Sequence, residues 1–222
     1  MRFKEIRINT GKKFCEEEDY VTKSIKRFVE SYEDVKNIVK NCGRTGQYSD
    51  FICSMRMENH RSGIEVLRRE REQGNILYAA CSFGLGVKLI ESFGYSVMGI
   101  DIDKYAIRQG KERNLDVRVM NAFNMDFPDN SFDIAISRDF LRPDYLGEDL
   151  KAAFLEQART IKKGGILINY SALADPVKDD NWNTAKKEMQ DPGFFEDLPF
   201  DELRRYEVYY DAVKKFVDVL EK

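Results

Sequence analysis

From residue 75 onward, short apolar runs alternate with segments of helical spacing. The run Ile76 to Ala80 leads into a loop of mostly small residues over positions 81–86, and a helical pattern then continues as far as Gly94. A second apolar run, Val97 to Ile100, stops at the acidic residue Asp101. This order predicts strand, tight loop, helix and strand. It is typical of the first half of a nucleotide-binding α/β domain, where a helix N-terminus and an acid at the next strand end hold the ligand.

The same alternation continues through two further predicted strands. Asp103 can cap a helix that ends near Asn114, and Val117 to Met120 form the third strand. The turn at residues 128–131 precedes the fourth strand, Phe132 to Ser137, whose continuous apolar character is typical of a strand buried on both faces.

The last third of the chain predicts one more helix and a fifth strand. The helix is marked by apolar residues at helical spacing: Leu150, Phe154, Ala158 and Ile161. We expect it to stop at Lys162 to Gly165, where cations meet the negative helix end and glycine supplies the turn, before a strand from Ile166 to Tyr170. Residues 205–220 fit both an antiparallel hairpin and a single helix, and periodicity favours neither.

The first 73 residues follow a different pattern. We predict a short strand or an arm over Met1 to Lys13. The apolar positions from Val21 to Val39 recur at helical spacing and predict one stripe of an amphipathic helix. Gly43 to Gly63 show no clean period, so they form either a lid over a ligand or a connector. A helix from Ile64 to Glu72 then leads into the first strand.

Composition narrows the class of protein. With 222 residues and 42% hydrophobic content, the chain can bury one main core plus an appendage. No stretch approaches the roughly 20 apolar residues of a membrane span, and the N-terminus lacks the apolar region of a secretory signal. We therefore expect a cytoplasmic protein with no membrane partner. The net charge of −3 gives no global positive field, so no nucleic-acid partner is expected either.

Cysteine and histidine usage gives little support for a metal site. The four cysteines lack CxxC spacing and His60 is the only histidine, so we expect no bound metal. Cys81, inside the loop after the first strand, is predicted to be a small packing residue, because nothing near it in sequence would lower its pKa.

Four blocks of sequence occur in order along the predicted strands: ILYAACSFGLG, VMGIDID, NAFNMDFPDNSFDIAIS and FLEQARTIKKGGILINYS. Together they make residues 74 to 171 resemble the class I S-adenosylmethionine-dependent methyltransferases. The resemblance implies an α/β fold, a three-layer αβα sandwich with a mostly parallel seven-stranded sheet and an antiparallel C-terminal hairpin, plus N-terminal helices. It favours the hairpin for residues 205–220. It also divides the chain into an N-terminal helical extension with the candidate lid (1–73) and a Rossmann-like methyltransferase domain (74–222).

The glycine loop departs from the family pattern of an acid, a hydrophobe and Gly-x-Gly-x-Gly. The acid position is Tyr78 and the glycine positions are Ala80, Ser82 and Gly84. The resemblance places these residues at the cofactor, with the acid near the methionine amino group. Ala80 is tolerable if it has ordinary strand dihedrals, whereas Ser82 would cost about 1 kcal/mol in a left-handed conformation.

The other cofactor positions follow the family more closely. By the resemblance, Asp101 accepts both ribose hydroxyls, Ile102 packs on the adenine face and Asn121 accepts from the adenine amino group. The resemblance also implies that Ala122 and Phe123 offer the cofactor backbone N–H groups and an apolar wall. It places Ser137 near the transferable methyl. Without a ligand, Asp101 would be a helix cap or a solvated strand end, and the loop glycines would serve a tight turn.

The resemblance implies in-line methyl transfer from S-adenosyl-L-methionine to a small-molecule or protein acceptor. Asp139 is the first candidate for a base or an acceptor-orienting group, with pairing to Arg138 or Arg142 as the structural alternative. His60 is the second candidate, because histidine titrates near neutral pH, with a solvated loop histidine as its alternative. The alternative hypothesis is a catalytically inactive methyltransferase-like binding or scaffolding protein. It is motivated by the departures from the family pattern at Tyr78, Ala80 and Ser82. The oligomeric state is left open.

Overall fold

The computed structural model describes residues 1–9, 60–138, 150–170, 192–210 and 213–222 of the chain. The strands are β1 (Arg2–Asn9), β2 (Asn75–Ala79), β3 (Ser96–Asp101), β4 (Val117–Val119), β5 (Phe132–Arg138), β6 (Ile161–Tyr170), β7 (Glu202–Tyr210) and β8 (Val213–Glu221). The helices are α1 (60–70), α2 (Leu85–Glu91), α3 (Lys104–Glu112) and α4 (Leu150–Thr160), with a 3-10 turn at Pro192–Phe195.

All eight strands form one sheet in the order β1-β7-β8-β6-β5-β2-β3-β4. Strands β2 to β6 run parallel to one another, and β8 runs antiparallel to both β6 and β7. The predicted mostly parallel sheet and its antiparallel C-terminal hairpin are therefore confirmed. Strand β1 pairs in parallel with β7 and adds an eighth strand to the expected seven.

Each face of the sheet carries its own hydrophobic core. Because successive side chains of a strand point to opposite faces, Ile76 and Tyr78 enter the core under α1, α2 and α3, whereas Leu77 and Ala79 enter the core under α4. The hairpin follows the same period of two, with Leu203 in the second core. Burial on both faces explains why the central strands read as continuous apolar runs.

Several predicted element ends agree with the structure. Asp103 caps α3, since its side chain accepts hydrogen bonds from the backbone N–H groups of Tyr105 and Ala106. Asn114 ends that helix in the left-handed conformation, with φ of 59°. Helix α1 already includes residue 60, four residues before the predicted start.

The predicted stop of the last helix was wrong. Helix α4 ends at Thr160, and Lys162 to Gly165 already belong to β6. The cause is a long-range pairing, because Ile161 lies opposite Phe132 of β5 and the register shifts before Ile134. Gly164, with φ of 75°, supplies the left-handed residue at this irregularity.

Some predictions lie outside the described residues, namely the amphipathic helix over 21–39, residues 43–59 of the candidate lid, and Asp139. The division of the chain at residue 73 stays a prediction, although β1 belongs to the same sheet as the rest. No helix within the described ranges is long and apolar enough to cross a membrane.

Candidate cofactor site

The loop after β2 lies at the carboxyl edge of the sheet, where parallel α/β sheets bind their ligands. Ala80, Ser82 and Gly84 all adopt the left-handed conformation, with φ of 55°, 51° and 78°. Ala80 therefore does not have the ordinary strand dihedrals under which alanine would be tolerated here. For a residue with a side chain this conformation costs roughly 1–2 kcal/mol, so the loop retains a glycine-type backbone at two positions that lack glycine.

Asp101, the last residue of β3, holds this loop in place. Its Oδ2 accepts from the Ser82 N–H at 2.8 Å, and its Oδ1 accepts from the Asp103 N–H at 2.9 Å. The Cys81 N–H donates to the Ile100 carbonyl oxygen at 3.0 Å. Since each carboxylate oxygen can accept more than one hydrogen bond, Asp101 can tether the loop and also accept from a ligand.

Large apolar side chains stand exposed beside Asp101. Ile102 is 72% exposed and Phe123 is 36% exposed. Both belong to segments that follow the carboxyl ends of neighbouring strands, β3 and β4. Asn121 Oδ1 accepts from the Phe123 N–H at 3.0 Å, so this N–H is already used within the loop, and Ala122 is buried. The exposed pair suits a flat apolar ligand group.

Two glycines are required by close contacts around α2. A Cβ on Gly84 would lie 2.5 Å from Leu115 Cδ1, and Gly84 also supplies the left-handed residue that precedes α2. A Cβ on Gly86 would lie 2.7 Å from His60 Cε1 and 2.8 Å from Tyr78 Oη. Helix α2 thus packs directly on the side chains of His60 and Tyr78.

Tyr78 and His60 belong to a buried cluster on the α1 face, together with Arg138 and Tyr170. Tyr78 is 3% exposed and His60 is 2% exposed. His60 Nδ1 lies 3.2 Å from Tyr170 Oη, and His60 Nε2 lies 3.2 Å from Arg138 Nη1. The alternative of a solvated loop histidine was wrong, because His60 is the first described residue of helix α1 and is enclosed there.

Ser137 lies on the opposite face of the sheet. Its hydroxyl is fully buried and donates to Gln157 Oε1 of α4 at 2.8 Å. Its sheet partner on β6 is Asn169, which is also buried. The sequence did not indicate Gln157 or Asn169, and it indicated Arg138 only as a partner for Asp139. Arg138 directly follows Ser137 at the end of a predicted strand, which was the available signal.

Cys81 is a packing residue in this loop. Burial, aided by the nearby Asp101 carboxylate, raises the pKa of its thiol to about 12. Its Sγ lies 2.8 Å from where a Cβ on Gly99 would stand, so the thiol fills the space above that glycine of β3. A protonated thiol without access to solvent is a poor nucleophile.

Residues 77–169, the segment that carries both the loop and Asp101, match the family described as methyltransferase domain. Over this segment the chain is similar to that methyltransferase family. The match confirms the resemblance of this segment to the class I methyltransferases, whose cofactor is S-adenosyl-L-methionine.

Solved structures agree with this methyltransferase domain at the level of the fold. A S-adenosylmethionine-dependent methyltransferase from Methanosarcina mazei is 22% identical, covers 71% of this chain and 96% of its own, and gives a TM-score of 0.52. A protein from Pyrococcus horikoshii OT3 is 17% identical, with coverage of 88% and 98% and a TM-score of 0.54.

Among curated proteins, an uncharacterized protein of Haemophilus influenzae is 29% identical over 107 residues. These residues make up 44% of this chain and 42% of that protein. The chain thus spans less than half the length of this relative.

Proposed function

We propose that the whole protein is a S-adenosylmethionine-dependent methyltransferase that acts on a small-molecule or protein acceptor by in-line methyl transfer. The observation that carries this proposal is the loop of residues 80–84 tethered by Asp101. Left-handed backbone at two non-glycine positions is strain that persists only where the surrounding structure imposes it, and such strain clusters at ligand sites. A loop with no ligand to bind could relax at both positions.

The cofactor site divides into two parts. We call Asp101, Ile102 and residues 121–123 the adenosine side, because a carboxylate and two exposed apolar side chains suit a ribose and an adenine. We call the cluster of Tyr78, His60, Arg138 and Tyr170 the methionine side, because the family resemblance places residue 78 near the amino acid end of the cofactor.

The bound cofactor would supply the methyl group on a sulfonium centre. The protein's share is then to hold the adenosine at Asp101, to fix the loop around the sulfonium and to align an acceptor over the carboxyl end of β5. Asp139 follows β5 directly and is proposed as the base or the acceptor-orienting residue. Ser137, with its hydroxyl committed to Gln157, would contribute through its backbone.

A second candidate function is a binding or scaffolding protein that has lost catalysis. It is favoured by Tyr78, whose buried neutral ring stands at the family's acid position. The two candidates differ in whether the protein binds the cofactor.

Isothermal titration calorimetry with S-adenosylmethionine and S-adenosylhomocysteine separates them. We expect both ligands to bind the folded protein well below millimolar concentration. If neither binds while circular dichroism shows a folded chain, the enzyme proposal fails. Where the cofactor binds, the acceptor is then sought with methyl-labelled cofactor among small-molecule and protein fractions.

A further inference from the structure

A cavity of about 580 Å³ opens to solvent at the amino edge of the sheet. Its lining comes from the starts of four parallel strands, β2, β3, β5 and β6, and from Arg71, which directly follows α1. Neighbouring parallel strands start at the same edge, so this cavity lies at the opposite end of the strands from the cofactor loop. Since β2 has 5 residues, the two edges are roughly 16 Å apart. A volume of this size suits a small molecule.

The side chains around this cavity carry an excess of positive charge. Three cations and one carboxylate line it, namely Arg71, Lys162, Lys163 and Asp133. Lys162 Nζ donates to Asp133 Oδ1 at 2.7 Å, and this hydrogen bond holds the pKa of the Asp133 carboxyl below its usual value. Because that pair is neutral as a unit, Arg71 and Lys163 leave two positive charges unbalanced among the lining residues.

Among the described residues, Arg71 is held by neutral groups. Its Nη1 donates to the Glu70 carbonyl oxygen at 2.8 Å, and its Nη2 donates to the Gly164 carbonyl oxygen at 2.7 Å. Its own carbonyl oxygen accepts from Tyr95 Oη at 2.6 Å. The neighbouring Glu70 carboxylate pairs with Arg204 instead, at 2.9 Å. The Arg71 guanidinium is thus fixed between the end of α1 and β6, and it uses only two of its five N–H groups.

The wall beside Arg71 is accessible to a ligand. Lys163 directly precedes the glycine whose carbonyl oxygen Arg71 binds, and its side chain is exposed. Much of the remaining lining is glycine backbone, at positions 74, 94, 164 and 165. A Cβ on Gly94 or on Gly164 would meet no atom within 4 Å, so the space at both positions is open. A ligand can therefore approach the backbone and both cations.

We propose that this cavity is a second ligand site, which binds the phosphate group of a small molecule through Arg71 and Lys163. A phosphate group carries about two negative charges near neutral pH, which match the two unbalanced cations. The N–H groups that remain on the guanidinium can donate to its oxygens. A single carboxylate would balance only one of the two charges. The inference is independent of the proposed function, because the two sites share no residue.

The test is a proton–nitrogen NMR titration of the isotope-labelled chain with inorganic phosphate, at constant ionic strength. Saturable shifts should centre on the amides of Gly74, Gly94 and Gly164, whereas acetate should cause much smaller ones. Glycerol phosphate is titrated next, and tighter binding than that of inorganic phosphate identifies an ester as the ligand, whereas weaker binding identifies free phosphate. Shifts that are absent, or that spread over all surface cations, would overturn the proposal. Displacement of phosphate by S-adenosylhomocysteine would also overturn it, since the anion would then lie in the cofactor site.

Variants then assign the binding to its residues. Arg71→Gln should weaken phosphate binding about tenfold or more, because hydrogen bonds between charged groups are strong, and Lys163→Gln should weaken it about threefold. Arg108→Gln is the matched control, since it removes an exposed cation that pairs with Glu112 on α3, and it should leave the affinity unchanged. Unchanged affinity in Lys163→Gln would contradict the assignment. This exposed position decides the issue even if Arg71→Gln does not fold.

Discussion

The two sides of the proposed cofactor site differ in how they are built. The adenosine side comes from residues close together in sequence, since Asp101 and Ile102 lie at the end of one strand and Phe123 follows the next. The methionine side joins α1, β2, β5 and β6, and its His60 and Tyr170 are 110 positions apart. The first side keeps the family's acid at Asp101, and the second has the buried aromatic Tyr78 at the family's other acid position. The acid is thus retained at the end of a single strand and is lost inside the long-range cluster.

The largest effect is expected on the adenosine side, from Asp101→Ala. The variant loses the proposed ribose contacts and the hydrogen bonds from the backbone N–H groups of Ser82 in the loop and of Asp103, so S-adenosylhomocysteine should bind at least about tenfold more weakly, equal to about 1.4 kcal/mol. Calorimetry measures this change. Asp116→Ala is the control, because Asp116 is exposed and precedes β4 at the opposite edge of the sheet. Unchanged affinity in Asp101→Ala would show that the site lies elsewhere.

The next largest effect is expected from Gly86→Ala, which should disturb the packing of the methionine side. The added Cβ would lie within 2.9 Å of His60 and Tyr78, and overpacking of this kind costs roughly 1–3 kcal/mol. Alanine favours a helix over glycine by about 1 kcal/mol, so we expect a net loss of about 1 kcal/mol in the free energy of unfolding. Urea denaturation measures it, with Lys88→Ala on the exposed side of α2 as the control. A stabilised Gly86→Ala would mean that the cluster packs loosely.

A smaller, opposite effect is expected in the loop that joins the two sides. Ala80→Gly and Ser82→Gly each relieve a left-handed conformation, and after the entropic cost of glycine each should stabilise the fold by about 0.5 kcal/mol. The control is Ala79→Gly, one residue earlier in β2, where φ is not positive and glycine should destabilise. If Ala80→Gly destabilises as much as Ala79→Gly, the loop is not strained as described.

The smallest effect is expected at Cys81, which should not react. Its pKa is raised from 9.0 to about 12 by burial, so at pH 8 the folded thiol stays protonated and enclosed. Because the unfolded chain ionises at a lower pH than the folded one, this group lowers stability as the pH rises from 9.0 towards 12. Iodoacetamide labelling at pH 8, followed by peptide mass spectrometry, should detect no modified Cys81. Rapid labelling of the native protein would contradict the packing role.

Prediction from sequence succeeded where a signal was local. The Asp103 cap and the left-handed Asn114 depend only on neighbouring residues, and both were predicted. The end of α4 was misplaced because Lys162 to Gly165 have the residue types of a turn. The pairing of Ile161 with Phe132 instead makes these residues part of β6. The left-handed backbone of Ala80 could not be predicted, because alanine favours ordinary dihedrals and the surrounding loop overrides that preference.

The sequence by itself determined the order of strands and helices, the C-terminal hairpin through its family resemblance, and Asp101 at a strand end. These follow from periodicity and from short motifs, which act over a few residues. Only the tertiary structure decided that Asp101 ties down a strained loop and that Tyr78, His60, Arg138 and Tyr170 form one cluster. Such contacts depend on how α1 packs against the sheet, and the close approach at Gly63 that permits it joins residues more than 100 positions apart.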